Sequence, residues 1–360
     1  MNISEKGSSE KRFKEEILKI GLFIKKTGKY IGLGIGILLL YFTLKDTDFH
    51  QVISNLQTIH VQYLALSLVS MLGLFFFKGI RWREMLKPIK KIPFSHVFSS
   101  MMVGYYFHNI LPFRMGEVVR IYSLNKKEHI SKSSVLGSIF AEKFFDVISL
   151  ILLALLVFLF NFNAQGEIFK IGIVMVGIVS FGIIFYFSYH TMPKKAVLFI
   201  KTKVLFFLKE ETYRKIADTL HNFFHGFRSL NSISIIVNSI LYSMVIWIFD
   251  VLSLYFLLLS FGLHFDLMLV KSIIPIIMIN LGIMIPAAPG DIGTFHYFGN
   301  IGLVKILGIE QSIATPIIII LNLMTMLPGF ILGGYHLLTH HEKIDLKEIN
   351  LEKNEKGEKN

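Results

Sequence analysis

Cysteine is absent from the 360-residue chain, which excludes disulfides, thiolate metal sites and cysteine nucleophiles. Charge is scarce: 17% of residues are Asp, Glu, Lys or Arg, against roughly 25% in an average soluble domain. There is no P-loop, no G-x-S-x-G elbow, no H-E-x-x-H pair and no G-x-G-x-x-G opening a helix after a strand. Nucleotide binding, serine hydrolysis and zinc proteolysis thus have no motif to rest on, and no cofactor is expected. His221 and His225 stand four apart in an amphipathic stretch without a third ligand nearby, so no metal is expected.

What fills the chain instead is apolar. Hydrophobic residues make up 53%, with 34 Phe, 14 Met and a mean hydropathy of +0.59. They gather in runs, and runs of about 18 or more read as helices crossing a bilayer. The clear runs are 30–44, 61–80, 133–160, 168–190, 233–261 and 312–338. The first is short, and Gly28, Gly32, Gly34 and Gly36 suit it to packing closely on a neighbour. Two more apolar stretches, 94–124 and 267–308, are broken by Pro, Gly and charge. Residues 1–29 are polar and Lys-rich with no small-residue cleavage site after the first run, so a retained N-terminus is expected, not a signal peptide.

The net charge of +12 is a topology signal, not a nucleic-acid footprint, and no nucleic-acid partner is expected. Segments 1–29, 81–93, 113–132, 191–232 and 339–360 hold 31 of the 37 Lys and Arg. Segments 45–60, 161–167 and 262–266 hold only Lys45. The positive-inside rule places the first set in the cytoplasm, together with both termini, of a multi-pass protein of the cell membrane. Because 81–93 and 113–132 then share a side, the stretch between them enters and leaves on that side as a re-entrant hairpin. The same bookkeeping makes 267–308 re-enter from the outside. Segment 191–232 mixes Lys with Phe, Leu and Ile, and reads as helix lying on anionic lipid of the inner leaflet; a solvated loop helix is the alternative. The polar tail 339–360 is expected to be solvated.

The two broken stretches resemble each other. Ile110-Leu-Pro-Phe-Arg-Met-Gly-Glu117 lies over Met284-Ile-Pro-Ala-Ala-Pro-Gly-Asp291 at an offset of 174, matching Pro112 with Pro286, Gly116 with Gly290 and Glu117 with Asp291. Each follows a long run, with 51 and 53 residues from the start of that run to the matched Pro. With opposite charge-derived orientations, this predicts an inverted-topology repeat with halves at 61–160 and 233–338. The fold class expected is therefore all-α and polytopic, with about six transmembrane helices plus two re-entrant helical hairpins. Unpaired backbone groups cost several kcal/mol each in hydrocarbon, so the hairpin tips must be buried in protein or line a wet cavity. Tips of this kind form the substrate site of inverted-repeat transporters.

Asn109, Pro112, Arg114, Gly116, Glu117 and Arg120 form the densest constellation. Two arginines and a carboxylate at a helix break suit a phosphate, which a guanidinium grips through two bonds. The plain alternative is that both arginines mark the cytoplasmic face. Glu142, Lys143 and Asp146 fall inside the run 133–160, where each unpaired charge costs at least about 2.5 kcal/mol. They read either as a structural ion-pair knot with Arg114 or Arg120, or as part of a headgroup or proton path. Lys78 and Asp250 each lie 17 residues into corresponding runs; Lys78 has reach enough to snorkel, and Asp250 does not. The second tip supplies Pro289, Gly290, Asp291, Gly293, Thr294 and His296, with glycines that allow close backbone approach and N–H groups suited to anions. His296 is either a proton-coupling group or a hydrogen-bonded packing residue.

At these positions the chain resembles the lysylphosphatidylglycerol synthase transmembrane-region family, also called flippase-like domain proteins. The resemblance rests on Asn109-x-x-Pro112-x-Arg114-x-Gly116-Glu117-x-x-Arg120, on Glu142-Lys143-x-x-Asp146 where the family commonly has Glu-Arg and then Asp, and on Pro286-Ala-Ala-Pro-Gly-Asp-Ile-Gly-Thr-Phe-His296. Many members have Glu where this chain has His296. The match runs over about 30–338, which makes that stretch a flippase-like membrane domain. It implies lipid handling, in some members fused to a soluble aminoacyl-transferase domain that the 22 residues after the last run are not expected to supply.

The expected function is translocation of an anionic phospholipid or polyprenyl-linked glycolipid between leaflets. Arg114 and Arg120 would hold phosphate, Glu117, Glu142 and Asp146 would order them, and 286–296 would form the opposing wall. The rivals are an intramembrane enzyme using Glu142, Asp146 or Asp291 as acid or base, a small-solute secondary transporter, and a non-transporting scaffold. A separate lipid-modifying enzyme or a second copy of the chain are the protein partners this reading admits.

Overall fold

The structure is a computed structural model that describes residues 32–45, 47–111, 114–159, 232–285 and 288–339. The run 168–190, segment 191–232 up to 231, both charged termini, and Pro112 and Pro286 lie outside those residues. The described residues form helices joined by short turns, and no strand occurs among them.

Helix α1 (Gly32–Leu44) is 13 residues, about 20 Å long at 1.5 Å per residue, short of the roughly 30 Å of a hydrocarbon core. A small amphipathic helix, α2 (Phe49–Gln57), follows, capped by Asp48, which accepts from the His50 and Gln51 N–H groups. Next come α3 (Val61–Leu86), α4 (Phe94–Ile110), α5 (Met115–Glu128), α6 (Lys132–Leu159) and α7 (Ile233–Ser260). The C-terminal part holds α8 (Met268–Lys271), α9 (Ile273–Gly282), a 3₁₀ turn (Pro289–Asp291), and α10 (Thr294–Asn300), prolonged by a π turn (Ile301–Ile306). Helix α11 (Gln311–Pro328) runs through a π turn (Gly329–Gly333) into α12 (Gly334–Thr339). Three stretches are long and apolar enough to cross a membrane: Val61–Leu86, Ile233–Ser260 and Gln311–Thr339. Helix α6 matches them in length but carries Glu142, Lys143 and Asp146 at mid-length.

Helices α3 and α7 pack antiparallel along their lengths. The His60 N–H donates to the Ser260 carbonyl at 2.8 Å, Ser67 Oγ donates to the Ser253 carbonyl at 2.7 Å, and Phe249 packs on Gly73. Small residues and serine hydroxyls are what let apolar helices pack without a hydrophobic driving force between them. Helix α3 runs six residues past the end of the apolar run at 80, because Arg81, Trp82, Met85 and Leu86 are buried in the protein and not released into a loop.

Two antiparallel helical pairs flank this α3–α7 axis. In the first, α4 and α5 are joined at 111–114; Ser123 Oγ meets Ser100 Oγ at 3.1 Å, and Lys127 Nζ donates to Ser99 Oγ at 2.7 Å. Gly116 is required here, since a Cβ would collide with the Gly104 carbonyl and the His108 backbone N. In the second, α9 and α10 are joined at 283–293, with Gly282 against Phe298 and Gly302 against Pro275. Gly293 has φ 93, and a side chain there would also run into the Gly36 backbone of α1. Of the N-terminal glycines, Gly36 makes the close packing; Gly34 faces open space.

Candidate functional site

The tips of the two helical pairs meet. His108 Nε2, near the end of α4, lies 3.1 Å from Asp291 Oδ2 on the second tip. The Arg114 guanidinium donates to the Ile283 carbonyl, where α9 unwinds. Helix α11 holds both tips: Asn109 Nδ2 donates to the Met326 carbonyl at 2.9 Å, and Asn322 Nδ2 donates to the Gly290 carbonyl at 3.2 Å. The Ile283 and Gly290 carbonyls of the second break thereby find side-chain partners inside the protein. Arg114 (φ 53) and Asp291 (φ 56) both adopt the left-handed conformation, at a cost of order 1–2 kcal/mol for a non-glycine residue. Backbone outliers of this kind cluster at functional sites.

Two adjoining cavities surround the junction. One, of about 140 Å³, is charged: Arg114, Glu117, Arg120, Lys143, Asp146 and Asp291 contribute to its wall. The neighbouring cavity, of about 110 Å³, has Met71, Leu74, Phe75 and Ile279 on its walls with Asp250, Asn109 and Asn322 among them. At about 30 Å³ per water, each has room for roughly four waters. They share Lys78, Tyr105, His108, Asn280, Ile283 and Asp291, so the junction of the tips is also the partition between them.

Beside the charged cavity lies a knot of ion pairs. Arg81 Nη1 donates to Asp146 Oδ1 at 2.6 Å and to Ser243 Oγ at 2.8 Å, and Arg81 Nη2 lies 3.3 Å from Glu142 Oε1. Arg120 Nη2 donates to Glu142 Oε2 at 2.8 Å while its guanidinium stacks 3.6 Å over the Trp82 ring. Lys143 Nζ lies 3.3 Å from Glu117 Oε1. Three cations face three carboxylates, joining α3, α5, α6 and α7. Arg81 and Glu142 have almost no exposure, so each partner is what allows the other to stay charged there.

The residues singled out in sequence thus fall into distinct settings. Glu142, Asp146, Lys143, Glu117 and Arg120 are in the knot, and all but Glu142 also line the charged cavity. Arg114 lines the charged cavity, and its Nε is buried without a hydrogen-bond partner. Asp250 lines the neighbouring cavity. Pro289, Thr294 and Gly293 shape the second tip, with Thr294 Oγ1 donating to the Asp291 carbonyl at 3.0 Å. His296 is buried behind that tip, where its Nδ1 accepts from the Gly293 N–H at 3.4 Å, and it lines neither cavity.

Sequence reasoning passed over Arg81, counting it as the first residue of a basic loop. Its signal was the spacing of Met71, Leu74, Lys78, Arg81 and Met85, which repeats three and four and marks one helix face. Met71, Arg81 and Met85 on that face are all fully buried. His108, Asn280 and Asn322 were missed as well, and nothing in their local sequence distinguishes them.

A second charged cluster fixes the far end of the α4–α5 pair. Glu128, nearly buried, lies 2.7 Å from Lys90 Nζ and 2.5 Å from His96 Nδ1. Burial raises the Glu128 carboxyl, but hydrogen bonds from Lys90 and His96 outweigh it and hold it below its ordinary 4.5.

Comparison with known proteins places this arrangement. Residues 30–333 match the family described as the lysylphosphatidylglycerol synthase TM region. The chain belongs to that family. It is also similar to a UPF0104 membrane protein of Pyrococcus horikoshii, 22% identical over 331 residues that cover 87% of this chain and 98% of the relative. A UPF0104 membrane protein of Methanocaldococcus jannaschii is 27% identical over 255 residues, 69% of this chain and 99% of its own length. One from Methanothermobacter thermautotrophicus is 27% identical over 210 residues, 55% of this chain and 62% of its own. The family match ends at 333, so it takes in both tips, both cavities and the whole ion-pair knot. A membrane-protein family accords with the three stretches, among the described residues, that are long and apolar enough to cross a membrane.

Proposed function

We propose that the chain translocates an anionic, phosphate-bearing lipid between the leaflets of the cell membrane. The observation that carries this reading is a charged cavity of about 140 Å³ where two helix breaks meet, in a protein whose exposed helical surface is apolar. A hydrophilic headgroup needs such a chamber to cross hydrocarbon, while its acyl chains can remain in lipid. Arg114 offers a guanidinium with one bond to a backbone carbonyl and a buried Nε still unsatisfied, which suits a phosphate oxygen.

In this reading α1, α3, α6, α7 and α11–α12 are spans, and the expected sixth, the run 168–190, lies outside the described residues. The α4–α5 and α9–α10 pairs are re-entrant hairpins, the first from the cytoplasmic side and the second from outside, with both termini in the cytoplasm. The antiparallel packing of α3 on α7, the leading helices of the two matched halves, supports an inverted repeat. The name of the family, which refers to an aminoacylated phospholipid, accords with a lipid substrate.

The test is leaflet redistribution in proteoliposomes offered fluorescent phosphatidylglycerol and a polyprenyl-phosphate sugar. Movement of either lipid by the wild type, reduced about tenfold or more by Arg114→Ala, is the expected result. A folded wild-type protein that moves neither lipid overturns the reading.

A further inference from the structure

We infer that Lys78 is the principal anion-binding residue of the translocation path, joining Arg114 to hold a lipid phosphodiester at the partition between the two cavities. This rests on the lipid-translocation reading and names the side chain that the phosphate meets there. The argument begins with which cations are already engaged. Arg81, Arg120 and Lys143 are each matched by a carboxylate of the knot at 3.3 Å or closer. Two cations lining the charged cavity have no carboxylate within ion-pair distance among the described residues: Arg114 and Lys78.

Lys78 sits 17 residues into α3, in the buried face that continues as Met71, Leu74 and Arg81. A lysine that merely snorkels extends towards the polar end of its helix, here Arg83, Glu84 and Lys87. Lys78 is lodged beside two aromatic rings. Its ammonium lies 5.7 Å from the ring centre of Phe75, one turn back along the helix, and 5.9 Å from that of Tyr105 on α4. Aromatic faces attract a cation without neutralising it, and the carboxylate that shares this ammonium's field, Asp250 across the neighbouring cavity, lies beyond ion-pair distance. Lys78 borders both cavities, with Arg114 on the charged side and Asp250 on the other. A phosphate passing the partition therefore remains beside this ammonium from either side, whereas Arg114 reaches it only from the charged cavity.

The experiment uses the full chain, purified and reconstituted, in wild-type, Lys78→Met and Lys78→Arg forms. Initial rates of fluorescent phosphatidylglycerol redistribution are measured in vesicles. Thermal unfolding is followed in detergent with phosphatidylglycerol, with inorganic phosphate, or with neither. The expected result is a rate about tenfold or more lower for Lys78→Met, with most of the rate kept by Lys78→Arg. Without added ligand, Lys78→Met should unfold at or above the wild-type temperature, and its shift with phosphatidylglycerol should be lost. A wild-type rate for Lys78→Met overturns the assignment while leaving lipid translocation intact. If the wild type moves no lipid, translocation fails but the anion seat is still decided. A phosphatidylglycerol-induced shift present in wild type and absent from Lys78→Met upholds it, and equal shifts or none overturn it. An equal shift with inorganic phosphate, also lost in Lys78→Met, identifies a seat for phosphate from any source; a shift with the lipid alone identifies a lipid site.

Discussion

Replacing Arg81 by methionine removes the centre of the ion-pair knot while keeping an unbranched apolar side chain in its place. Arg81 has no exposure, Glu142 has 2% and Asp146 has 22%. Removing one partner of a buried pair typically costs about 3–5 kcal/mol, because the other is left charged and unpaired. Here Glu142 keeps Arg120 at 2.8 Å and Asp146 keeps some contact with water, so the lower end, about 3 kcal/mol, is expected. Ser243 also loses its donor, although its own hydroxyl still donates to the Ser239 carbonyl at 2.7 Å. Reversible unfolding in mixed micelles titrated with dodecyl sulfate reads the difference directly. The companion variant is Arg81→Met with Asp146→Leu, which removes both charges of the shortest pair. It should be less damaging than Arg81→Met alone, with a coupling of about 1 kcal/mol or more across the double-mutant cycle. An Arg81→Met loss under about 0.5 kcal/mol, the range of ordinary surface substitutions, would refute the knot, as would strict additivity in the cycle.

Two further substitutions probe the frame around the site. Gly116→Ala places a methyl against the Gly104 carbonyl and the His108 backbone, so overpacking of about 1–3 kcal/mol should outweigh the gain in helix propensity. Gly34→Ala, with nothing within 4 Å of the new methyl, is the control and should be neutral or stabilising in the same unfolding assay. Because the Glu128 carboxyl is held below its ordinary 4.5 in the folded protein, its stabilising contribution is full above that pH and is lost as the pH falls through the lower folded value. The stability difference between wild type and Glu128→Gln should therefore be largest near neutral pH and shrink below pH 4.5, and a difference independent of pH would contradict the assignment.

The long apolar helices were the most legible part of the chain, since period and length leave few alternatives for runs such as 233–261, which forms α7 (Ile233–Ser260). Their ends were less legible. Loop charge is a good guide to sidedness, but it cannot tell an arginine in water from one paired inside the protein. Arg81 was therefore assigned to a loop and α3 stopped short of its observed end at Leu86. The helix breaks are legible because Pro and Gly announce them, and their free backbone groups call for burial or a wet cavity, while the expectation that the two tips meet rests on the likeness to inverted-repeat transporters. The contacts that bring them together, His108 with Asp291 and Asn109 with Met326, join residues 183 and 217 positions apart, and no local pattern encodes them. Glu142 and Asp146 read in sequence as an ion-pair knot or as part of a headgroup or proton path, and the partner that no local pattern supplies is Arg81, arriving from α3 at 2.6 Å from Asp146.

That last contact also changes how the remaining charges are weighed. In water an unpaired lysine carries no information, because solvent neutralises it at little cost. Among apolar helices every charge requires a partner, a wet cavity or a ligand, so pairing within the protein is the first thing to establish. The knot accounts for Arg81, Arg120, Lys143, Glu117, Glu142 and Asp146 and closes at zero net charge. Arg120, the arginine that the motif makes most prominent after Arg114, thereby has a carboxylate partner in Glu142 while still lining the charged cavity. The cations left over lie at the meeting point of the two tips, one on a tip and one on a long helix. A ligand held between them would couple the position of the α4–α5 pair to that of α3, so that occupancy of the site and relative movement of these elements depend on each other.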